Sequence, residues 1–212
     1  MEHLTERSCA DFTRLLAAKT SVPGGGGAAA LAGALGAALC AMAGSFTVGK
    51  PKYAGVEAEV RSLLDRAEAL RLRFLELADR DAEAFAPLAA AFAIPPEDPA
   101  RQDALESAAG GACAVPMEIL EQCAKTLPVL EEMLDKGSAL LVSDVGCGAL
   151  LCRAAAESAA LNVYVNTRLL RDRERAAGIE ARAEALAALC ADRAGETARR
   201  VKTQLTGGNG HG

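Results

Sequence analysis

Pro23 is followed by four consecutive glycines, Gly24 to Gly27, and then by a charge-free run of small residues from Ala28 to Val48. Glycines lack a Cβ and let a ligand or another backbone approach the main chain closely. A helix starting just after them aims unpaired N–H groups and the positive end of its dipole at the glycine loop. Such a junction suits a carboxylate, a phosphate or a developing oxyanion. A flexible connector before a helix has the same sequence, and no Walker lysine or dinucleotide spacing follows. Along the run, Gly33, Ala37, Ala41 and Ser45 recur every four residues and make a small-residue face on which another helix can pack closely.

That run is long enough to raise the question of a membrane span. Its richness in Ala and Gly makes insertion weak, and the reading is a buried central helix. The rest of the composition agrees: 51% of residues are hydrophobic, only 3% are aromatic, and Leu161–Val165 is the one stretch with strand character. An all-α single-domain bundle over residues 1–206 is expected, with long kinked helices and a disordered tail at 207–212. A net charge of −5 without a basic stripe argues against nucleic acid. Seven cysteines form no CxxC pair, and several sit in apolar helical stretches, as reduced thiols in a cytosolic core do. Glu2, Glu6 and Asp11 interrupt any signal peptide. His3 and His211 lie at the two ends, both expected to be frayed, which argues against a histidine-activated nucleophile and a histidine zinc site. Acid–base work would fall to carboxylates, lysine, cysteine or tyrosine.

A first helix is predicted from about Thr5 to Ala18, with Phe12, Leu15 and Leu16 inward. Gly49-Lys50-Pro51 ends the central helix. The next helix, about Val56 to Ala93, carries a seam at Val56, Val60, Leu63, Ala67, Leu70, Phe74, Leu77, Ala84 and Leu88. The same spacing calls for an apolar residue at 81, where Asp81 stands. A carboxylate on an apolar stripe is either held in a buried ion pair or displaced in pKa toward proton transfer. Pro87 should kink the helix close by. Pro95-Pro96 ends it, and Asp98-Pro99 starts another that is broken or kinked before Gly137. Ser143-Asp144 reads as a cap at the positive end of the next helix, or as a polar pair poised there for a ligand. Asn162 and Asn166 sit one turn apart on that helix. They can bond helix neighbours or read a polar heterocycle. A charge-rich last helix, about Arg173 to Leu205, reads as an outer wall.

Four stretches together resemble the cyclodeaminase/cyclohydrolase family of folate enzymes. They are Pro23-Gly24-Gly25-Gly26 with the run from Ala30 to Leu39; Thr47-Val48-Gly49-Lys50 through Tyr53; Asp81-Ala82-Glu83-Ala84-Phe85; and Ser143-Asp144 with Asn162-Val163 and Asn166. Order and spacing extend over nearly the whole chain. Gly27 stands where the family pattern leads one to expect serine.

The resemblance implies an all-helical fold, a homodimer and a tetrahydrofolate cleft, with no cofactor or metal beyond the folate substrate. Carried onto this sequence, it implies Asp81 as the carboxylate beside the reacting carbon. Lys50 would serve as proton donor or anion holder, or be a solvated loop lysine. Asp144 and Ser143 would support Asp81 or bond the pterin edge. Asn162 and Asn166 would read pterin nitrogens, and the amides of Gly24, Gly25, Gly26 and Gly27 would bind glutamate carboxylates or the ring's polar edge. The activity implied is hydrolysis of 5,10-methenyltetrahydrofolate. The alternatives are cyclodeamination of 5-formiminotetrahydrofolate and a non-catalytic folate-binding protein.

Overall fold

The computed structural model describes residues 3–207, whose regular structure is all helical, with no strand among them. Seven α-helices follow in order: α1 (Cys9–Leu16), α2 (Gly25–Ser45), α3 (Glu57–Ala93), α4 (Ala100–Ala112), α5 (Ala114–Lys136), α6 (Val142–Thr167) and α7 (Arg173–Thr206). The all-α expectation holds, and Leu161–Val165 lies inside α6. Of the expected tail, Gly207 closes α7 and positions 208–212 lie outside the described residues.

α2 and α6 form the centre. They run antiparallel, since Gly25 at the start of α2 faces Asn162 near the end of α6, while Gly36 faces Gly148 and Cys152. α3 covers one side of α2, α5 packs on α2, α3 and α6, and α7 lies along α6 and α5. The predicted small-residue face is half realised. Gly33 is buried against Phe74 of α3 and Ala37 is fully buried, but Ala41 is only half-buried and Ser45 is exposed. A second contact, unforeseen in the sequence, brings α2 onto α6. A Cβ on Gly36 would stand 2.6 Å from Cys152 Sγ and 2.8 Å from the Gly148 carbonyl, and one on Gly148 would stand 2.9 Å from the Gly36 carbonyl. Gly36→Ala therefore pushes the central helices apart. Overpacking costs about 1–3 kcal/mol, against roughly 1 kcal/mol gained in helix propensity. The expected net is a Tm a few degrees lower by thermal unfolding.

The α3 seam is as predicted. Val60, Leu63, Ala67, Phe74, Leu77 and Leu88 are buried, with Val56, Leu70, Asp81 and Ala84 half-buried among them. Pro87 is carried inside the helix without ending it. α2 ends at Ser45, four residues earlier than the Gly49-Lys50-Pro51 break, where Gly49 takes φ +77 and Pro51 starts a short turn. The α4–α5 stretch is broken at Cys113, two residues after Gly110-Gly111.

Other expectations shift. α1 is shorter than predicted and buries Phe12, while Leu16 is 38% exposed, because a single short helix on the surface has room for only one inward turn. His3 is not frayed: Asp79 accepts from its Nδ1 (3.1 Å), from Leu4 N–H (2.7 Å) and from Thr5 Oγ1 (2.8 Å), tying the short turn at Leu4–Glu6 to α3. Cys40, Cys113, Cys123, Cys152 and Cys190 are buried free thiols, whereas Cys9 and Cys147 are exposed. Burial raises the Cys40 thiol to about 12 and Cys190 to about 11, so neither is a thiolate nucleophile near neutrality.

Two helical stretches, Gly25–Ser45 and Ala139–Thr167, are long and apolar enough to cross a membrane. Within the fold, 56% and 44% of their most apolar windows are buried.

Candidate active site

The glycines are not a loop. Gly24 is the N-cap of α2, in extended conformation, and Gly25 to Gly27 form its first turn. Their unpaired N–H groups meet α3, where the Gly27 N–H donates to Asp81 Oδ2 at 2.9 Å. The anion expected at this helix terminus is the protein's own carboxylate. Glycine is required at 26 because a Cβ there would overlap the Asp81 carboxylate. A serine at 27 would face ordinary contacts with Pro23 and the Ala78 carbonyl, so Gly27 does not reflect a lack of space.

Among the described residues no cation pairs with Asp81. Its neighbour Arg80 turns instead to Glu118 of α5 (2.8 Å), which also holds Arg73. The buried ion pair left open by the sequence is thus absent at Asp81, and burial raises its carboxyl above the usual range, with the Gly27 N–H offsetting part of the rise.

Asp81 opens into a cavity of about 160 Å³ lined by Ser21, Gly24, Gly25, Gly26, Phe85, Ala112, Asn162, Val165 and Asn166, among others. Asn162 Nδ2 donates to the Ser158 carbonyl (2.8 Å) and Asn166 Nδ2 to the Ala112 carbonyl (2.9 Å). Each amide is oriented by a backbone bond, and each carbonyl oxygen is left without a protein donor among the described residues. The second bond crosses from α6 to the end of α4 and brings Ala112 to the cavity wall. Phe85, one turn beyond Asp81 on α3, falls within the Asp81–Phe85 stretch that carries the family resemblance. Ser21, Ala112 and Val165 carried no signal.

Three of the implied residues lie elsewhere. Lys50 follows the C-terminal end of α2, and Ser143 and Asp144 sit in the first turn of α6. Both places are at the far ends of the central helices from Asp81, about 27 Å away at 1.5 Å per residue over the eighteen residues from Asp144 to Asn162. Ser143 and Asp144 do not cap α6 either. Its N-cap is Leu141, because the turn Ala139–Leu141 leads straight into the helix, and Ser143 Oγ lies 3.5 Å from Asp144 Oδ2. This second end is itself ordered. Buried Thr47 donates to the Ala43 carbonyl (2.7 Å) and accepts from Ser138 N–H (2.8 Å), Tyr53 OH accepts from Ala139 N–H (3.2 Å), and Lys50 Nζ lies 6.0 Å over the Phe46 ring.

A preformed, half-buried carboxylate beside two oriented amides can bind a cationic or proton-bearing heterocycle and exchange a proton with it. Comparison with known proteins gives the class. The sequence pattern of the formiminotransferase-cyclodeaminase family matches residues 8–185. The chain is 39% identical over 162 residues to the methenyltetrahydrofolate cyclohydrolase of Methylorubrum extorquens, covering 74% of this chain and 78% of that protein. It is 31% identical over 175 residues to the formimidoyltransferase-cyclodeaminase of Rattus norvegicus, which is 81% of this chain but only 32% of that protein. The crystal structure of formiminotetrahydrofolate cyclodeaminase from Thermotoga maritima superposes with a TM-score of 0.78 at 27% identity, over 93% of this chain and 98% of that one.

Proposed function

Because the chain belongs to the formiminotransferase-cyclodeaminase family, we propose that it is a folate enzyme that hydrolyses 5,10-methenyltetrahydrofolate to 10-formyltetrahydrofolate. The observation that carries this reading is Asp81: a carboxylate with no cation partner among the described residues, raised in pKa by burial, held by the Gly27 N–H and facing a cavity with two oriented amides. The methenyl carbon bridges N5 and N10 as a cationic amidinium, which an unpaired carboxylate attracts. Asp81 accepts a proton from the attacking water as the C–O bond forms. It returns that proton to N5 as the C–N5 bond breaks. The hydroxyl proton of the tetrahedral intermediate passes to solvent, so one proton is released net. The free carbonyl oxygens of Asn162 and Asn166 accept from pterin N–H groups, and the small residues Gly24, Gly25 and Gly26 let the ring lie against the start of α2. No metal or further cofactor enters the proposal.

The second reading is cyclodeamination of 5-formiminotetrahydrofolate, favoured by the structural likeness to the Thermotoga maritima enzyme. There N10 attacks, ammonia leaves, and the same carboxylate would move the proton between them. Decay of the near-ultraviolet absorbance of methenyltetrahydrofolate separates the two. The expected result is decay faster than in buffer and proportional to protein concentration. Ammonia release from the formimino substrate without that decay establishes the second reading, and neither activity overturns both.

The protein is proposed to work as a cytoplasmic homodimer, free of membrane. The free thiols support a reducing compartment. Dimerisation is supported by the outer face of the α2–α6 pair, where Leu35, Phe46, Leu150, Leu161 and Val165 are 48–64% exposed. The mid-helix pair Arg153–Glu157 on the outer side of α6 (2.9 Å) makes a lipid occupant costly. A two-fold axis lying in this face, midway along the pair and perpendicular to its helices, would exchange their ends. It would set Lys50, Ser143 and Asp144 of one protomer opposite the Asp81 cavity of its partner, which is the role we propose for them. Leu150→Glu, at an exposed position, should then yield a folded monomer by light scattering, with activity reduced about tenfold or more; a dimer of unchanged activity overturns this interface.

A further inference from the structure

The cavity at Asp81 is too small for the substrate proposed above. Its volume of about 160 Å³ falls below the roughly 300–1,000 Å³ of sites that enclose whole ligands. At Ala84 it meets a second, larger cavity of about 790 Å³ between α3 and α4, lined by Pro87, Ala91, Ile94, Ala104 and Ala108 among others, with Ser107 its one polar side chain. Pterin edges need hydrogen-bond partners, which the Asp81 cavity supplies and this groove does not. A benzoyl ring needs apolar walls, which the groove supplies.

Arg101, in the first turn of α4, lies just outside the lining of the groove, seven residues along the chain from Ile94 at its far end. It stands one turn before Ala104 on the stripe of α4 that continues through Ala108 to Gly111. Its Nε is buried with no hydrogen-bond partner, and among the described residues its side chain makes no ion pair. Of the acids nearest it in sequence, Glu97 makes no ion pair with it among the described residues, and the others are engaged elsewhere. Asp103 and Glu106 hold Arg171 at 2.8 and 3.8 Å, and Asp98 accepts from the Ala100 N–H. A guanidinium whose buried Nε lacks a partner, beside the end of an apolar slot, complements an aromatic arm ending in carboxylates. The slot runs from Ala84 to Ile94, about 15 Å along α3 by helical rise, enough for a benzoyl ring and a glutamate residue end to end.

Resting on the folate reading above, we propose that the α3–α4 groove binds the p-aminobenzoyl-glutamate arm of the substrate, with Arg101 gripping a glutamate carboxylate. The glutamate is then recognised here and not at the glycines, whose Gly27 N–H is already occupied by Asp81. The test compares 5,10-methenyltetrahydrofolate with 5,10-methenyltetrahydropteroate, which lacks the glutamate. The unaltered protein should show a KM about tenfold lower for the glutamate-bearing substrate, the size of one charge-assisted contact. In Arg101→Ala that preference should collapse to near unity, while Arg101→Lys should restore part of it. Ala108→Phe, which fills the slot itself, should raise KM for both. A tenfold preference that survives Arg101→Ala, or no preference in the unaltered protein, overturns the groove assignment and leaves the folate reading standing. Turnover of neither compound strikes at the folate reading instead.

Discussion

Asp81→Asn should reduce turnover of methenyltetrahydrofolate by about a hundred- to ten-thousand-fold, the range of a lost general acid–base, with the helical circular dichroism unchanged. The amide is the same size and can still accept from the Gly27 N–H, so α2 keeps its terminal partner. What is lost is a group able to take and return a proton and a negative charge facing the cationic substrate. Stability should move the other way. Burial raises the Asp81 carboxyl in the folded chain, so the folded state holds this proton more tightly than the unfolded state does. That favours folding below the ordinary carboxylate pKa, and the advantage is lost as pH rises through the raised value. Asparagine has no such titration. The variant should therefore melt at or above the parent at neutral pH, with the difference shrinking on acidification. Near-normal turnover removes Asp81 from the chemistry, and a lower Tm at neutral pH contradicts the burial argument.

Gly26→Ala should come second in effect, for a geometric reason. The added methyl cannot share space with the Asp81 carboxylate, and one of the two must move. The short side chain yields more readily than the first turn of α2, so the carboxylate swings away from the Gly27 N–H and from the reacting carbon. Displacements of this size at a reacting centre cost about a hundredfold in rate. Alanine is otherwise favoured over glycine in a helix by roughly 1 kcal/mol, so global stability should change little. The signature is low kcat with a near-parental Tm. Parental kcat would mean that the carboxylate works from more than one position.

The sequence made the frame of this fold readable because its signals are local. The alternation along α3 placed every buried residue of the seam and exposed Asp81 as the exception, and proline and glycine marked most helix ends. Its failures were failures of distance. Glycines before an apolar run look like a loop, and only the approach of Asp81 from α3 explains why they continue as helix. Ser143-Asp144 and Asn162 fall on one helix, and the eighteen residues from Asp144 to Asn162, about 27 Å at 1.5 Å per residue, already set them at its opposite ends, against the single cleft that the resemblance implies. The Gly36–Gly148 crossing and the Asn166–Ala112 bond join segments far apart in the chain, where periodicity carries no information. Arg101 was passed over because an arginine in the first turn of a helix looks ordinary until its neighbours prove to be otherwise engaged.

The missing cation beside Asp81 bears on how a catalytic cycle ends. In the proposed reaction the substrate enters carrying a positive charge on the amidinium, and the formyl product leaves without it. A carboxylate already matched to an arginine would hold both alike. One whose only protein partner among the described residues is a backbone N–H binds the charged form more strongly and loses that attraction in the same step that makes product. The site thereby favours exchange of spent ligand for fresh, with no moving part required.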